Sequence, residues 1–192
     1  MLAPFLKPEV VEAGCDEAGR GCLCGPVCCA AVILPPAFEC PGLDDSKKLT
    51  EKQRSLLRPY IEEKALAWAV VMVDAEEIDK INILNASIEG MHRALDRLSI
   101  IPEHIIVDGN RFKPYRDIPH TTVVKGDAKY MAIAAASILA KTHRDELISR
   151  VASRYPEYGW EQNKGYPTKA HREAIAMYGP TPLHRLTFRL LP

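Results

Sequence analysis

The spacing of apolar positions changes several times along the chain, and each change marks an element. Residues 10–17 alternate weakly and stop at Gly19-Arg20-Gly21, which predicts a strand followed by a turn. Residues 25–34 (GPVCCAAVIL) are mostly apolar and are stopped by Pro35-Pro36, the pattern of a buried strand. Residues 41–49 form a polar loop. Thr50-Glu51-Lys52-Gln53 fits a capping box and opens a helix to about Lys64. Residues 65–73 (ALAWAVVMV) predict a third strand. Residues 74–98 read as helix with a break near Asn82, where Ile88, Met91 and Leu95 recur at helical spacing. Residues 103–107 and 120–124 are short strands that end at Asp108-Gly109-Asn110 and Lys125-Gly126-Asp127. A long helix is expected from residue 128 to about 154, ended by Pro156. Its run AIAAASILA suits close packing on a sheet. A last helix is expected near residues 168–177.

This order predicts an α/β fold: a five-stranded mixed sheet with helices on its faces. The hairpin-like start argues against a purely parallel dinucleotide-binding sheet. One domain is expected over residues 1–192, with residues 156–192 as a C-terminal helical and loop extension. At 47% hydrophobic and 26% charged residues, the composition excludes a disordered chain, a coiled coil and a collagen-like fibre. No apolar run approaches the ~20 residues that span a bilayer. Residues 1–12 lack an apolar stretch of signal-peptide length, so a cytoplasmic protein without membrane attachment is expected.

The formal net charge of zero hides an asymmetry. Residues 1–110 carry 11 basic and 18 acidic residues, and residues 111–192 carry 14 and 7. That division suits carboxylates holding metal beside a basic surface for a polyanion, although mutual neutralisation of the halves explains it equally. Six cysteines, Cys15, Cys22, Cys24, Cys28, Cys29 and Cys40, include no C-x-x-C pair. They read as buried free thiols rather than zinc ligands or disulfides.

Asp16, Glu17, Asp108 and Asp127 fall at strand ends or just beyond, where α/β sites commonly lie. Clustered carboxylates repel one another unless cations or protons neutralise them, and oxygen-only ligands select Mg²⁺ or Mn²⁺. Two such ions can clamp both oxygens of a phosphodiester displacement. Two simpler readings compete: Asp127 as an N-cap, and Asp108-Gly109-Asn110 as a plain turn. Gly19, Arg20 and Gly21 suit close backbone approach to a phosphate-bearing ligand, or an ordinary hairpin turn. Ser46 and Lys47 on one loop, and Lys164 and Tyr166 on another, suit phosphate contact and stacking. Lys48 reads as solvated charge. His143, His171 and His184 read as surface or helix-terminal histidines.

Taken together, several blocks resemble type 2 ribonuclease H, the ribonuclease HII family. They are Gly14-Cys15-Asp16-Glu17-Ala18-Gly19-Arg20-Gly21, Leu43-Asp44-Asp45-Ser46-Lys47-Lys48-Leu49, Ile106-Val107-Asp108-Gly109-Asn110, Lys125-Gly126-Asp127, Lys164-Gly165-Tyr166-Pro167-Thr168 and His184-Arg185-Leu186-Thr187-Phe188. The resemblance implies a ribonuclease H-like fold. It also implies endonucleolytic cleavage of RNA–DNA hybrids and of duplex DNA containing ribonucleotides, leaving 5′-phosphate and 3′-hydroxyl ends. It implies metal ligation by Asp16, Glu17, Asp108 and Asp127, with two Mn²⁺ or Mg²⁺ ions in the active complex. It assigns Gly19, Arg20 and Gly21 to the ribonucleotide 2′-OH, and Tyr166 to stacking on the sugar at the junction. A monomer is expected; protein partners are not specified. Asn163 departs from the histidine common in the family. Two alternatives are the sister family ribonuclease HIII, whose N-terminal domain and final glutamate have no counterpart here, and a hybrid-binding module without turnover.

Overall fold

The computed structural model describes residues 2–191. The elements run β1 (Glu12–Ala18), β2 (Val27–Ile33), α1 (Glu51–Lys64), β3 (Ala67–Val73), α2 (Ala75–Ile81), α3 (Ile83–Asp96), β4 (His104–Asp108) and β5 (His120–Val123). They continue with α4 (Met131–Ala152), α5 (Trp160–Asn163) and α6 (Lys169–Tyr178). Single 3₁₀ turns precede α4 at Gly126–Ala128 and α5 at Pro156–Tyr158. The strands form a five-stranded mixed sheet in the order β3-β2-β1-β4-β5. β1, β2 and β3 pair antiparallel, while β1, β4 and β5 pair parallel.

Local chemistry sets the boundaries. The Thr50 hydroxyl accepts from Gln53 N–H at 3.2 Å and the Gln53 side chain accepts from Thr50 N–H at 2.8 Å, closing the capping box of α1. Asn82 separates α2 from α3 because it adopts φ 65°, which Asn tolerates better than most residues. Its side chain then caps α3 by accepting from Asn85 N–H at 3.1 Å. The long helix starts later than its sequence suggests. Its N-cap is Tyr130, so Asp127 lies in the preceding 3₁₀ turn and does not cap α4.

Alternation along the strands divides the core. Ala13, Cys15 and Cys29 face α2 and α3, while Cys28, Ala30 and Val32 face α1 and α4. The thiols are unpaired and, apart from the half-buried Cys40, buried. Burial pushes the Cys24 and Cys28 thiols up to about 12, against the pull of the Arg144 guanidinium.

The residues after α4 pack on its C-terminal half through Leu23, Cys24, Ile148, Tyr158, Trp160 and Ile175. Here one expectation is corrected. His184 is 2% exposed in the tail, and His171, in the first turn of α6, is fully buried. Trp160 Nε1 donates to His171 Nε2 at 3.0 Å, and the two imidazoles meet at 3.2 Å. Protons on His171 Nδ1 and His184 Nε2 give every pair a donor and an acceptor, with the single lone pair of His171 Nε2 shared between Trp160 and His184. Aromatic neighbours and paired ring nitrogens make burial tolerable for two polar side chains. Burial, and for His184 also the neighbouring His171, lowers both pKa values, that of His184 to about 4.

α4 rests on the sheet at Gly14. A Cβ there would lie 2.6 Å from Ile133 N and would also press on the Ala132 backbone, and helix backbone cannot rotate away. Gly14→Ala is therefore expected to lower stability by about 1–3 kcal/mol through overpacking. Urea unfolding of both proteins measures it.

Candidate active site

β1 and β4 run parallel with Cys15 opposite Val107, so Asp16 and Asp108 come side by side at the carboxyl edge of the sheet. Asp16 projects from the same face as Gly14, toward α4, and shares its cavity with Ser137 of that helix. Glu17 projects from the other face, toward a second hollow lined by Ser87, Ile88 and Met91 of α3. Asp127 is 2% exposed in the 3₁₀ turn after β5. That turn is tied to β4 because Gly126 N–H donates to Asp108 Oδ1 at 2.7 Å. Lys47 Nζ reaches across and donates to Asp127 Oδ2 at 2.8 Å.

A cavity of about 270 Å³ collects most of the residues singled out by sequence. Asp16, Glu17, Asp108, Gly19, Arg20, Ser46, Lys47 and Tyr166 all line it. Asp127 adjoins it through Lys47. Gly21 is exposed and lies outside its lining. Lys164 is directed away, its Nζ donating to Ser149 Oγ at 2.6 Å. Lys48 pairs with Asp44 at the surface.

Electrostatics mark the cavity as a site for positive charge. Burial, then the like charges of Glu17 and Asp108, hold the Asp16 carboxyl well above the usual range, against hydrogen bonds from Ser137 and Glu17 N–H. Burial also raises Glu17, with Arg20 opposing at 3.2 Å. Burial raises Asp108, with Asp127 adding to the effect and Gly126 N–H opposing it. Lys47, although burial opposes it, is held above the usual lysine range by Asp127 and then Asp16. Among the described residues, no three Asp, Glu, His or Cys side chains close into a preformed metal cage. The cluster is open toward the cavity.

The surrounding loops are held firmly. Ser46 Oγ and Ser137 Oγ share a hydrogen bond of 2.8 Å. Arg54 donates to the Ser46 carbonyl at 2.8 Å and to the Leu49 carbonyl, fixing the loop that carries Lys47. The turn under Tyr166 is pinned by Asn163, whose Oδ1 accepts from Gly165 N–H at 2.8 Å and whose Nδ2 donates to the Tyr158 carbonyl at 2.7 Å. The Tyr166 carbonyl accepts from His171 Nδ1 at 2.9 Å. Lys141 Nζ stands 5.0 Å from the Tyr166 ring centroid. Arg54, Ser137 and Lys141 also line the cavity, although none was singled out as a site residue. The legible signal is the spacing of Ser137 and Lys141, four apart on one face of a helix otherwise rich in alanine.

Comparison with known proteins agrees with this arrangement. The family model described as Ribonuclease HII matches residues 13–191. A ribonuclease HII of Bacteroides fragilis strain YCH46 is 65% identical over 191 residues, covering 100% of this chain and 95% of that protein. The crystal structure of ribonuclease H2 from Pyrococcus horikoshii OT3 superposes with a TM-score of 0.76 at 30% identity, covering 93% of this chain and 94% of that one. The ribonuclease HII in a complex with PCNA from Archaeoglobus fulgidus superposes with a TM-score of 0.78 at 28% identity, covering 95% and 96% of the two chains. With carboxylates, basic loops and tyrosine gathered at one sheet edge, and matches spanning nearly its whole length, the chain belongs to the ribonuclease HII family, endoribonucleases that cut RNA in RNA–DNA hybrids and at ribonucleotides embedded in DNA.

Proposed function

We propose that Asp16, Glu17, Asp108 and Asp127 hold the divalent cations of this ribonuclease, and that Gly19, Arg20, Gly21 and Tyr166 select the ribonucleotide. The observation that carries the reading is the shared cavity: Asp16, Glu17 and Asp108, all held above the usual carboxylate range by burial, face the same space as Arg20 and Tyr166. The donor set fits a hard cation, since it is all oxygen. Its openness fits too, because Mg²⁺ keeps several waters and is usually completed by substrate phosphate rather than by an all-protein cage. When bound, two Mn²⁺ or Mg²⁺ ions supply the charge that activates water and stabilises the leaving 3′-oxygen.

The chain's own residues do the rest. Gly126 N–H orients Asp108 and Glu17 N–H orients Asp16, each at 2.7 Å, so two carboxylates are held in their rotamers. Lys47 balances Asp127 and sits in the cavity wall, where its ammonium meets an incoming phosphate. Arg20 holds Glu17 from the substrate side. The exposed backbone of Gly21 can come close to a 2′-OH, the group that distinguishes RNA from DNA. Tyr166, 38% exposed, presents its ring for stacking on a sugar. Ser46 supports the loop through Ser137, and Lys164 ties the Tyr166 turn to α4 through Ser149.

Asp16→Asn and Asp108→Asn are each expected to lower turnover at least ~10²-fold, because a neutral amide is a poor ligand for a hard cation. Circular dichroism should show an unchanged fold, and excess EDTA should abolish cleavage of a hybrid by the parent enzyme. Full activity of the Asp108→Asn protein would remove the metal assignment.

A second expectation concerns selection. A missing 2′-OH leaves buried polar groups unpaired at a cost of about 1–3 kcal/mol, and a displaced phosphate adds to that. An all-DNA duplex should not be cut. Tyr166→Ala should reduce kcat/KM more for a single embedded ribonucleotide than for a long hybrid, which offers many registers. Equal losses on the two substrates would assign Tyr166 to general binding.

A further inference from the structure

Behind the cavity lie two buried guanidinium groups bonded to backbone carbonyls, Arg144 through all three nitrogens and Arg185 through Nε and Nη1, with Arg185 Nη2 unpartnered among the described residues. Arg144, on α4, is fully buried, and so is Arg185 in the tail. Arg144 Nε donates to the Pro26 carbonyl at 3.0 Å, Nη2 to the Cys24 carbonyl at 3.1 Å and Nη1 to the Lys164 carbonyl at 2.8 Å. Its nearest carboxylate oxygen, Asp145 Oδ1, is 3.9 Å away and accepts from Lys141 at 3.0 Å. Arg185 Nε donates to the Gly25 carbonyl at 3.0 Å and Nη1 to the Arg20 carbonyl at 2.9 Å.

A buried charge without a close ion pair is costly unless its hydrogen bonds are satisfied. Arg144 satisfies all three nitrogens by bridging two separate stretches: the connection that follows Gly19-Arg20-Gly21, and the turn that carries Tyr166. Gly19 makes room for it, and Gly25 and Gly165 flank it. A Cβ on Gly19 would collide with its Nε, and one on Gly25 or Gly165 would stand 3.6 or 3.4 Å from its Nη2. All three have positive φ, at 90°, 75° and 82°, so carbonyls can turn in toward the guanidinium. The Tyr166 ring centroid lies 5.9 Å from Arg144 Cζ. Backbone bonds follow the same path, with Leu23 N–H donating to the Gly165 carbonyl at 2.8 Å.

Arg185 acts on the first loop alone. In a trans peptide the C=O and the following N–H point in opposite directions. Drawing the Arg20 carbonyl inward to Arg185 therefore directs Gly21 N–H outward. Among the described residues this N–H has no protein partner.

We infer that Arg144 is a positioning residue for ribonucleotide selection, setting the spacing between the Gly19-Arg20-Gly21 loop and the Tyr166 ring by clamping the carbonyls behind both. The inference rests on the assignment of that loop and Tyr166 to selection. Arg144 touches neither substrate nor carboxylates in this role; it fixes where two readers stand relative to each other.

The test is a double-mutant cycle with Arg144→Lys and Tyr166→Ala, repeated with Arg144→Gln, which keeps a planar donor and removes the charge. Substrates are a duplex with one embedded ribonucleotide and a long RNA–DNA hybrid. Circular dichroism and thermal melting check folding. In a folded protein, Arg144→Lys is expected to lower kcat/KM on the single ribonucleotide at least ~10-fold, and clearly less on the hybrid. In the Tyr166→Ala background the same substitution should have little further effect on that preference. Equal losses on both substrates, additive losses in the double variant, or loss of the folded state with both replacements would make Arg144 a structural residue and overturn the inference. Should Tyr166→Ala itself show no substrate preference, the assignment of Tyr166 fails and the inference with it. Should Tyr166→Ala show the preference while folded Arg144→Lys does not, the inference alone fails.

Discussion

Asp16 is 4% exposed and stands beside Asp108 because β1 and β4 are parallel neighbours, and burial holds both carboxyls above the usual range. Placing like charges together in a poorly solvated edge opposes folding. The rest of the fold confines that penalty to one edge. The antiparallel β1–β2–β3 side and the parallel β1–β4–β5 side meet at β1, so the strand with the acidic pair is central and flanked on both sides. Helices cover both faces, with α4 closest to β1 at Gly14. The carboxylates therefore cannot escape by local rearrangement, and relief requires cations or protons arriving from the open side.

The protein cations around this edge are arranged at graded depth. Lys47 and Arg20 approach the carboxylates directly, Lys141 stands over the Tyr166 ring, and Arg144 and Arg185 lie behind the loops. The first two respond to charge, since each meets an acidic oxygen. The last two respond to backbone dipoles and contribute shape. A single helix face supplies Ser137, Lys141 and Arg144 at helical spacing, so one rigid body addresses a carboxylate, an aromatic ring and two loops.

Much of this was legible in the chain. Periodicity and breakers located all five strands and the principal helices, because Gly, Pro and Asn end elements through steric rules that act locally. Asp16, Glu17, Asp108 and Asp127 could be placed near strand ends for the same reason, but their convergence depends on the β1–β4 pairing, a long-range contact that no local rule states. The assignment of Lys164 as a substrate contact came from its neighbours, and its side chain instead reaches Ser149. His171 and His184 read as exposed because histidine usually is; their burial depends on Trp160 and Tyr158, which pack against them only after the tail has folded back. Arg54 and Arg144 gave no motif, and Arg185, though inside a block that carries the resemblance, gave no sign of its role, since a guanidinium that binds backbone carbonyls has partners without side-chain identity.

That last point bears on how a small site gains precision. Carbonyl partners leave no paired substitution in the sequence, yet they hold the backbone itself rather than one side chain. The acidic side chains are held by single hydrogen bonds, Asp16 from Glu17 N–H and Asp108 from Gly126 N–H. The selection proposed for the Gly19-Arg20-Gly21 loop and Tyr166 demands more, because the discriminating group is one hydroxyl and these two stretches lie more than a hundred residues apart in the chain. A fork with three nitrogens bonded to Pro26, Cys24 and Lys164 spans that gap at one point. A lysine at the same place could donate in three directions but without the planar geometry that fixes the angle between the two loops. Burial strengthens these bonds by excluding water, so the same low dielectric that disfavours an unpaired charge makes a fully bonded one rigid.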